Sequence, residues 1–506
     1  MTLARLPCAA ACAALLMLAA GCAVGPDYKT PDTPLPVSWK LEEPWRVSTP
    51  SDSADKGPWW KRFDDATLDT LQAQALAGSP TLAIANARLA QARATLAATS
   101  ASRYPQLGLG ARASRLKISA NRPLTNYATA NSSTVQNDFA VSLNASYELD
   151  LAGRVQRTVE GASASAEQSA ADLANTRLLL SAELASNYFN LRSTDIELDV
   201  LSRSIGLQRR ALELVTARHD LGAVSGLDVA QQQALLETTL TQVDVLKKQR
   251  AQYEHALATL TGTPAPNFSL PVDLREIRPP AVPLGVPSEI LQRRPDVASA
   301  ERAMVAANAQ IGVATAAFYP SFVISPTVGV DSRLIETLFN GPSLLWSVGV
   351  SATQVLFDGG RIRANVDFAK AGYDVTVGNY RRTVLTAMQE VEDGITGLSA
   401  LDSATTQAQS AVTAARRVLD MATSRYEGGA STYLDVITAQ QSLLTVERQA
   451  AQLQGQRLLT SVFLVKALGG DWCGADVADT SAASPTCRSP TGHADWIMPR
   501  PEQQGG

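Results

Sequence analysis

The sequence predicts a membrane protein of mixed α and β structure. Each chain gives four strands to a β-barrel that three copies close at 12, and the strands are joined to long coiled-coil helical hairpins. Three observations predict this. The chain repeats itself, its proline-free stretches carry apolar residues every seven positions, and four short runs alternate apolar and polar residues.

The repeat comes first because it doubles every later element. Arg218 to Gly262 aligns without a gap on Arg425 to Gly469 at an offset of 207, with Leu227-Asp228-Val229 on Leu434-Asp435-Val436, Gly222 on Gly429 and Gly153-Arg154 on Gly360-Arg361. Upstream the offset is 215, with Pro80 on Pro295 and Tyr104-Pro105 on Tyr319-Pro320, so the first copy carries 8 extra residues between its Tyr-Pro and its Gly-Arg. A unit of this size is too long for a solenoid repeat and reads as a duplicated structural half.

The helical signal follows. Leu184, Leu191, Leu198, Ile205 and Leu212 stand seven apart, and Val391, Leu398, Thr405, Val412 and Leu419 occupy the same places in the second copy. The returning stretches continue with Val229, Leu236, Val243 and Leu257, then Val436, Leu443 and Leu464. A sustained heptad is a coiled-coil pattern, and at 1.5 Å per residue each outgoing helix is roughly 100 Å long. The turns read as Asp220-Leu221-Gly222-Ala223 and Glu427-Gly428-Gly429-Ala430, where glycine ends one helix. Ser225-x-x-Asp228 and Thr432-x-x-Asp435 read as capping boxes that begin the next.

Elsewhere the period falls to two. Leu107, Leu109, Ala111 and Ala113 alternate with Gly108, Gly110, Arg112 and Ser114; Phe139, Val141, Leu143, Ala145, Tyr147 and Leu149 alternate with polar or small residues. The second copy supplies Phe322, Ile324, Val328 and Val330, then Trp346, Val348, Val350 and Ala352. Runs of about 10 residues with one apolar face fit transmembrane strands. Pro326 costs a ladder bond unless it lies at an edge or bulge. Four strands leave open edges, which hydrocarbon does not tolerate. Two chains give a barrel too narrow for a channel, so three is the simplest closure.

Composition bounds the function. The net charge of −4 offers no nucleic-acid footprint, and aromatics make up only 6% of the 506 residues, as in extended helical assemblies. Arg5, the apolar run Leu6 to Leu18 and Ala19-Ala20-Gly21-Cys22 form a signal sequence, either one ending in a cysteine placed for diacylation or an ordinary signal peptide cut elsewhere. Ala23 in place of aspartate fits onward sorting to the outer membrane. Cys473 and Cys487 lie in a Pro/Ser/Asp-rich tail in an oxidising compartment, where they either pair as a disulfide or stay free. His219, His255 and His493 form no ligand cluster, no CxxC occurs, and there is no nucleophile elbow, HExxH or phosphate loop. A metal, a cofactor and catalysis are not expected.

Several motifs occur in order: Cys22-Ala23-Val24-Gly25-Pro26-Asp27-Tyr28, Trp59 through Leu71, Val286-Pro287-Ser288-Glu289 and Arg293-Arg294-Pro295-Asp296-Val297 with Ala300-Glu301. Ile311-Gly312-Val313 with Phe318-Tyr319-Pro320, Phe357-Asp358-Gly359-Gly360-Arg361 and both Gly-x-x-x-x-Leu-Asp-Val tips follow. On these motifs the chain resembles the TolC-like outer-membrane efflux factors, most closely the NodT-type lipoproteins of RND efflux systems. The resemblance implies a trimeric 12-stranded β-barrel continuous with a long periplasmic α-helical barrel of coiled-coil hairpins. It also implies docking onto a periplasmic membrane-fusion adaptor and an inner-membrane RND-type pump that chooses the substrate. The implied role is a passive exit duct for drugs or other small toxic compounds; the exit duct of a type I protein-secretion system is the alternative.

The expected division is a signal peptide at 1–21, a lipidated linker at 22–62, a first structural repeat at 63–262, a Pro-rich linker at 263–287, a second repeat at 288–469 and a tail at 470–506. The resemblance implies a periplasmic end held shut by links between neighbouring tips. Gate candidates are Arg218, Asp220 and Asp228 with Arg425, Tyr426, Glu427 and Asp435. Helix capping alone also accounts for both tip aspartates, and Arg218 and Arg425 suit the carbonyl ends of their helices. The chain departs from the family pattern at Ser431, where arginine can stand, and at Thr438, where an acid can. Lumen candidates are Arg112, Asn144 and Glu148 on the polar strand faces, and Arg293-Arg294 reads as a pair that bonds carbonyls at a joint.

Overall fold

The computed structural model describes residues 23–29, 58–121, 134–280 and 294–470. The expected signal peptide, Cys22, the Val286 to Glu289 motif, Arg293, Cys473 and Cys487 lie outside the described residues.

The described helices are α1 (Ala66–Gly78), α2 (Pro80–Ser100), α3 (Arg154–Asp220), α4 (Gly226–Thr261), α5 (Pro295–Ala316), α6 (Arg361–Glu427) and α7 (Tyr433–Ala467). The strands are β1 (Gln106–Ile118), β2 (Thr134–Leu149), β3 (Ser321–Ser332) and β4 (Leu344–Thr353). Outgoing helices α3 and α6 are 67 residues each, the length that the heptads and absent prolines call for. Among the described residues no helix is long and apolar enough to cross a membrane.

Two compact units emerge, and each draws on both copies of the repeat. The first holds Met1–Thr33, Ala85–Asp172 and Ala298–Arg382; the second holds Pro34–Ile84, Leu173–Val297 and Thr383–Gly506. Duplication therefore made two halves that fold around shared cores, not two separate domains.

The first unit contains an antiparallel sheet of order β1-β2-β3-β4. Directly opposed residues share a face, and the register places Leu109 opposite Leu143, Leu143 opposite Val328 and Val328 opposite Trp346. The next row repeats this with Ala111, Val141, Val330 and Leu344. Period-two alternation is thereby converted into one apolar band across four strands. Leu109 and Trp346 are 77% and 73% exposed, more than a water-facing sheet would leave on its apolar side. Strands β1 and β4 end the sheet with unpaired edges within the chain.

Pro326 is not at an edge. Strand β3 pairs on both sides, and its ladder with β4 runs through Pro326. The ladder with β2 lapses instead: Asn144 pairs with Thr327 and Tyr147 with Ile324, while Ser325 and Pro326 have no partner there. A proline lacks the N–H that this rung needs.

In the second unit most heptad positions are buried, while Leu198, Leu212, Val229, Val243, Thr405 and Leu419 are half-buried. Leu184, Leu191 and Val391 are fully enclosed, around a core that gathers Trp59, Phe63, Leu68, Tyr188, Phe189 and Leu464. Phe63 meets Phe189 with ring centres 4.8 Å apart, and the Tyr188 hydroxyl donates to Asp65 at 2.7 Å. Burial pushes the Tyr188 phenol up to about 12. Arg294 donates to the Ala467 carbonyl at 2.8 Å and pairs with Asp296 and Glu390, so it tethers the start of α5 to the end of α7.

Candidate gate at the hairpin tips

Both tips lie in the second unit, and both turns close in the same way. After α3, Gly222 N donates to the His219 carbonyl and Ala223 N to that of Arg218. After α6, Gly429 N donates to Tyr426 and Ala430 N to Arg425. Gly222 and Gly429 have φ of 74° and 72°, the left-handed conformation that ends a helix and that glycine adopts without steric cost.

The caps differ. Leu227 N donates to Ser225 Oγ at 3.1 Å and Ser225 N to Asp228 Oδ2 at 3.2 Å, so the first capping box is formed. The second is not: Thr432 makes no side-chain cap bond, and only its carbonyl accepts from Asp435 N at 3.3 Å. The expectation of two boxes is corrected to one. Tyr433 takes the place of the cap, because its buried ring already fixes the start of α7.

Tyr433 is the centre of the tip. It belongs to a buried cluster with Val215 of α3, Leu235 of α4 and Val436 and Ile437 of α7, against which the half-buried Leu419, Ala422 and Tyr426 of α6 pack. Its hydroxyl donates to Gln232 Oε1 at 2.9 Å, and Gln232 Nε2 donates to the Gln208 carbonyl at 3.0 Å. Burial, and then the nearby Tyr426 and Asp228, push the Tyr433 phenol above its ordinary range. The Tyr426 ring lies 5.0 Å from that of Tyr433, and the Arg218 guanidinium sits 4.8 Å from the Tyr426 ring centre. A cation over an aromatic face is attractive and stays so when partly desolvated. The two hairpins of one chain are thus locked by a cation–π contact and a buried polar chain. Tyr426 Oη and Ser431 Oγ are buried without a hydrogen-bond partner.

The other candidates are placed as follows. Arg425 donates to the Ala430 carbonyl at 3.4 Å, across its own turn. Asp220, Glu427 and Asp435 are exposed and form no ion pair among the described residues. Sequence reasoning missed Tyr433, Gln232 and His219, whose Nδ1 lies 3.1 Å from the Val224 carbonyl. A tyrosine at the repeat position of Gly226 was the available signal.

On the sheet, Arg112, Asn144 and Glu148 lie on the face opposite the apolar band. Arg112 pairs with Asp138 at 2.7 Å, and Asn144 accepts from Thr327 at 3.0 Å. Glu148 binds Arg154 through both carboxylate oxygens at 2.6 and 2.9 Å. Each of these three groups is tied to a neighbouring side chain.

The profile described as Outer membrane efflux protein matches residues 71–263 and 286–470. The chain belongs to the outer membrane efflux protein family. It is 32% identical to the pyoverdine export outer membrane protein OpmQ of Pseudomonas aeruginosa, over 87% of this chain and 94% of that one. It is 29% identical to the cation efflux system protein CusC of Escherichia coli, over 91% and 98% of the two chains. Among solved structures, the outer-membrane channel OprN superposes with a TM-score of 0.81 at 31% identity, covering 89% of this chain and all of that one.

As a member of the outer membrane efflux protein family, this chain forms an outer-membrane channel of the trimeric class, with a 12-stranded barrel and a helical barrel. That class resolves the open edges of β1 and β4, which pair between copies. The family's efflux role stands in place of the secretion-duct alternative.

Proposed function

We propose that this channel is the exit duct of a tripartite efflux system, receiving drugs or other small toxic compounds from an inner-membrane RND-type pump through a periplasmic adaptor. The supporting observation is the single apolar band across a sheet with two open edges, coupled in one chain to paired helical hairpins. Such a chain moves nothing by itself, because a lined pore carries no energy source. Returned to cells that lack it, the channel is expected to lower their susceptibility to small toxic compounds only when the pump and adaptor are present. Rescue without either partner would reject the assignment.

Residues Arg112, Asn144 and Glu148 face the lumen in this reading, and Cys22 carries the lipid. Cys22→Ala is expected to lose palmitate labelling while the barrel keeps the protein in the membrane. The tips act as the gate, with Arg218, Asp228, Tyr426 and Asp435 holding the closed state. Asparagine keeps the oxygen that accepts from Ser225 N but removes the charge. Asp228→Asn with Asp435→Asn is therefore expected to raise single-channel conductance in planar bilayers while thermal stability barely changes. Wild-type conductance from that double variant removes the pair from the gate.

A further inference from the structure

The motif that follows Cys22 does more than mark a modification. Within the first unit, residues 23–27 lie in a cleft made by the start of α3 and the body of α5, which come from different copies of the repeat. Val24 N donates to the Ala152 carbonyl at 3.2 Å, and Asn308 Nδ2 donates to the Pro26 carbonyl at 2.8 Å. Arg157 Nη2 reaches Asp27 at 2.8 Å, while its Nη1 is held by Glu160 at 2.8 Å. The Arg157 side chain is 6% exposed and that of Asp27 is 87% exposed. An exposed carboxylate adds little by charge, so fit carries the contact.

The fit is tight where side chains are missing. A Cβ on Gly312 would stand 2.7 Å from Arg157 Cγ and 3.0 Å from the Val24 carbonyl oxygen. One on Gly25 would stand 2.6 Å from Gly312 Cα, and one on Gly153 would stand 2.6 Å from Ala23 Cα. Three backbones meet there at distances that leave no room for a methyl group. Ala23 is thereby fixed beside Gly153, four residues beyond the end of β2.

We propose that the cleft lined by Gly153, Arg157, Asn308 and Gly312 is a binding site for the mature N-terminal segment Ala23–Asp27, and that docking there fixes where the lipid-bearing end of the chain meets the membrane. This rests on the reading of Cys22 as the lipidated residue. The docked strap also joins the two copies at the strand-to-helix junction. Its chemistry is that of a short peptide bent at Gly25, held by two hydrogen bonds to its backbone and close backbone packing.

Lys29 follows the strap and is exposed, so trypsin cleavage there reports undocking. The test uses full-length protein labelled with radioactive palmitate in native membranes, as wild type, Gly312→Val and Asn308→Ala. Cleavage after Lys29 is expected at least 10-fold faster in Gly312→Val and intermediate in Asn308→Ala. After cleavage, the labelled peptide is expected to stay with the wild-type channel through detergent extraction and to leave the Gly312→Val channel. Equal cleavage rates in intact channels overturn the docking site. Should Gly312→Val not assemble, Asn308→Ala decides by the same comparison. Wild-type protein without label overturns lipidation alone, since the cleavage rates still judge the site.

Discussion

The two hairpin tips have the same backbone turn and different ways of starting the helix after it. In the first, α4 opens on Gly226, a poor helix former, and a complete capping box from Ser225 and Asp228 supports it. In the second, α7 opens on Tyr433, whose ring is buried among all four hairpin helices, and Thr432 contributes no cap bond. A helix start needs its first turn fixed, and either local hydrogen bonds or tertiary burial will do it. The duplicated sequence kept the turn and divided these two solutions between its copies.

The largest test of that difference is Tyr433→Ala. Removing a buried aromatic and leaving Gln232 without its donor is expected to cost about 3–5 kcal/mol at the tips. Hydrogen exchange at Val436 and Val215 should rise together, because both share one buried cluster with the ring. Exchange confined to α7 would show that the hairpins are not locked as described. Tyr433→Phe keeps the packing and strands the Gln232 carbonyl, for about 1–3 kcal/mol. Unchanged protection in that variant would mean the Tyr433 to Gln232 bond contributes nothing.

The caps give a smaller effect and a sharper contrast. Ser225→Ala is expected to lower the stability of the first tip by about 1 kcal/mol. Thr432→Ala, at the matching position, should stay within about 0.5 kcal/mol of wild type. Equal losses in thermal melts of the two variants would return the second tip to a capping box.

The smallest effect lies at the start of α6, where another local device works. Gly360 N and Ile362 N donate to Asp358 at 2.8 and 2.7 Å, and these bonds hold its carboxyl below the usual carboxylate range. A lowered folded value means that the stabilisation is complete above the unfolded pKa and is lost as pH falls through the folded one. The window therefore lies below about pH 4. Asp358→Asn should lower the melting temperature slightly at neutral pH and flatten the acid limb, so that the difference from wild type disappears as the pH falls through this window. A wild-type acid limb in the variant would show that the carboxylate charge has no part.

Much of this molecule is written locally. The heptads of α3 and α6, the four alternating strands and the glycine turns were legible because each depends on residues two, four or seven positions apart. The repeat made each reading twice, and open strand edges forced closure between copies. The tip candidates were legible as a neighbourhood, since charges and aromatics crowd beside the turns, but not as partners.

What the tertiary structure alone decided is which distant groups meet. Tyr433 and Gln232 are 201 residues apart, and nothing in either copy by itself selects that bond. The lapse of the β2 ladder opposite Pro326 depends on which strands flank β3. The docking of Ala23–Asp27 needs Gly312 and Arg157 from opposite copies to share one cleft. Periodicity determined the elements because backbone hydrogen bonding and side-chain direction are short-range. The compact units cut across the repeat because burial rewards whatever surfaces the folded chain brings together, regardless of their order in sequence.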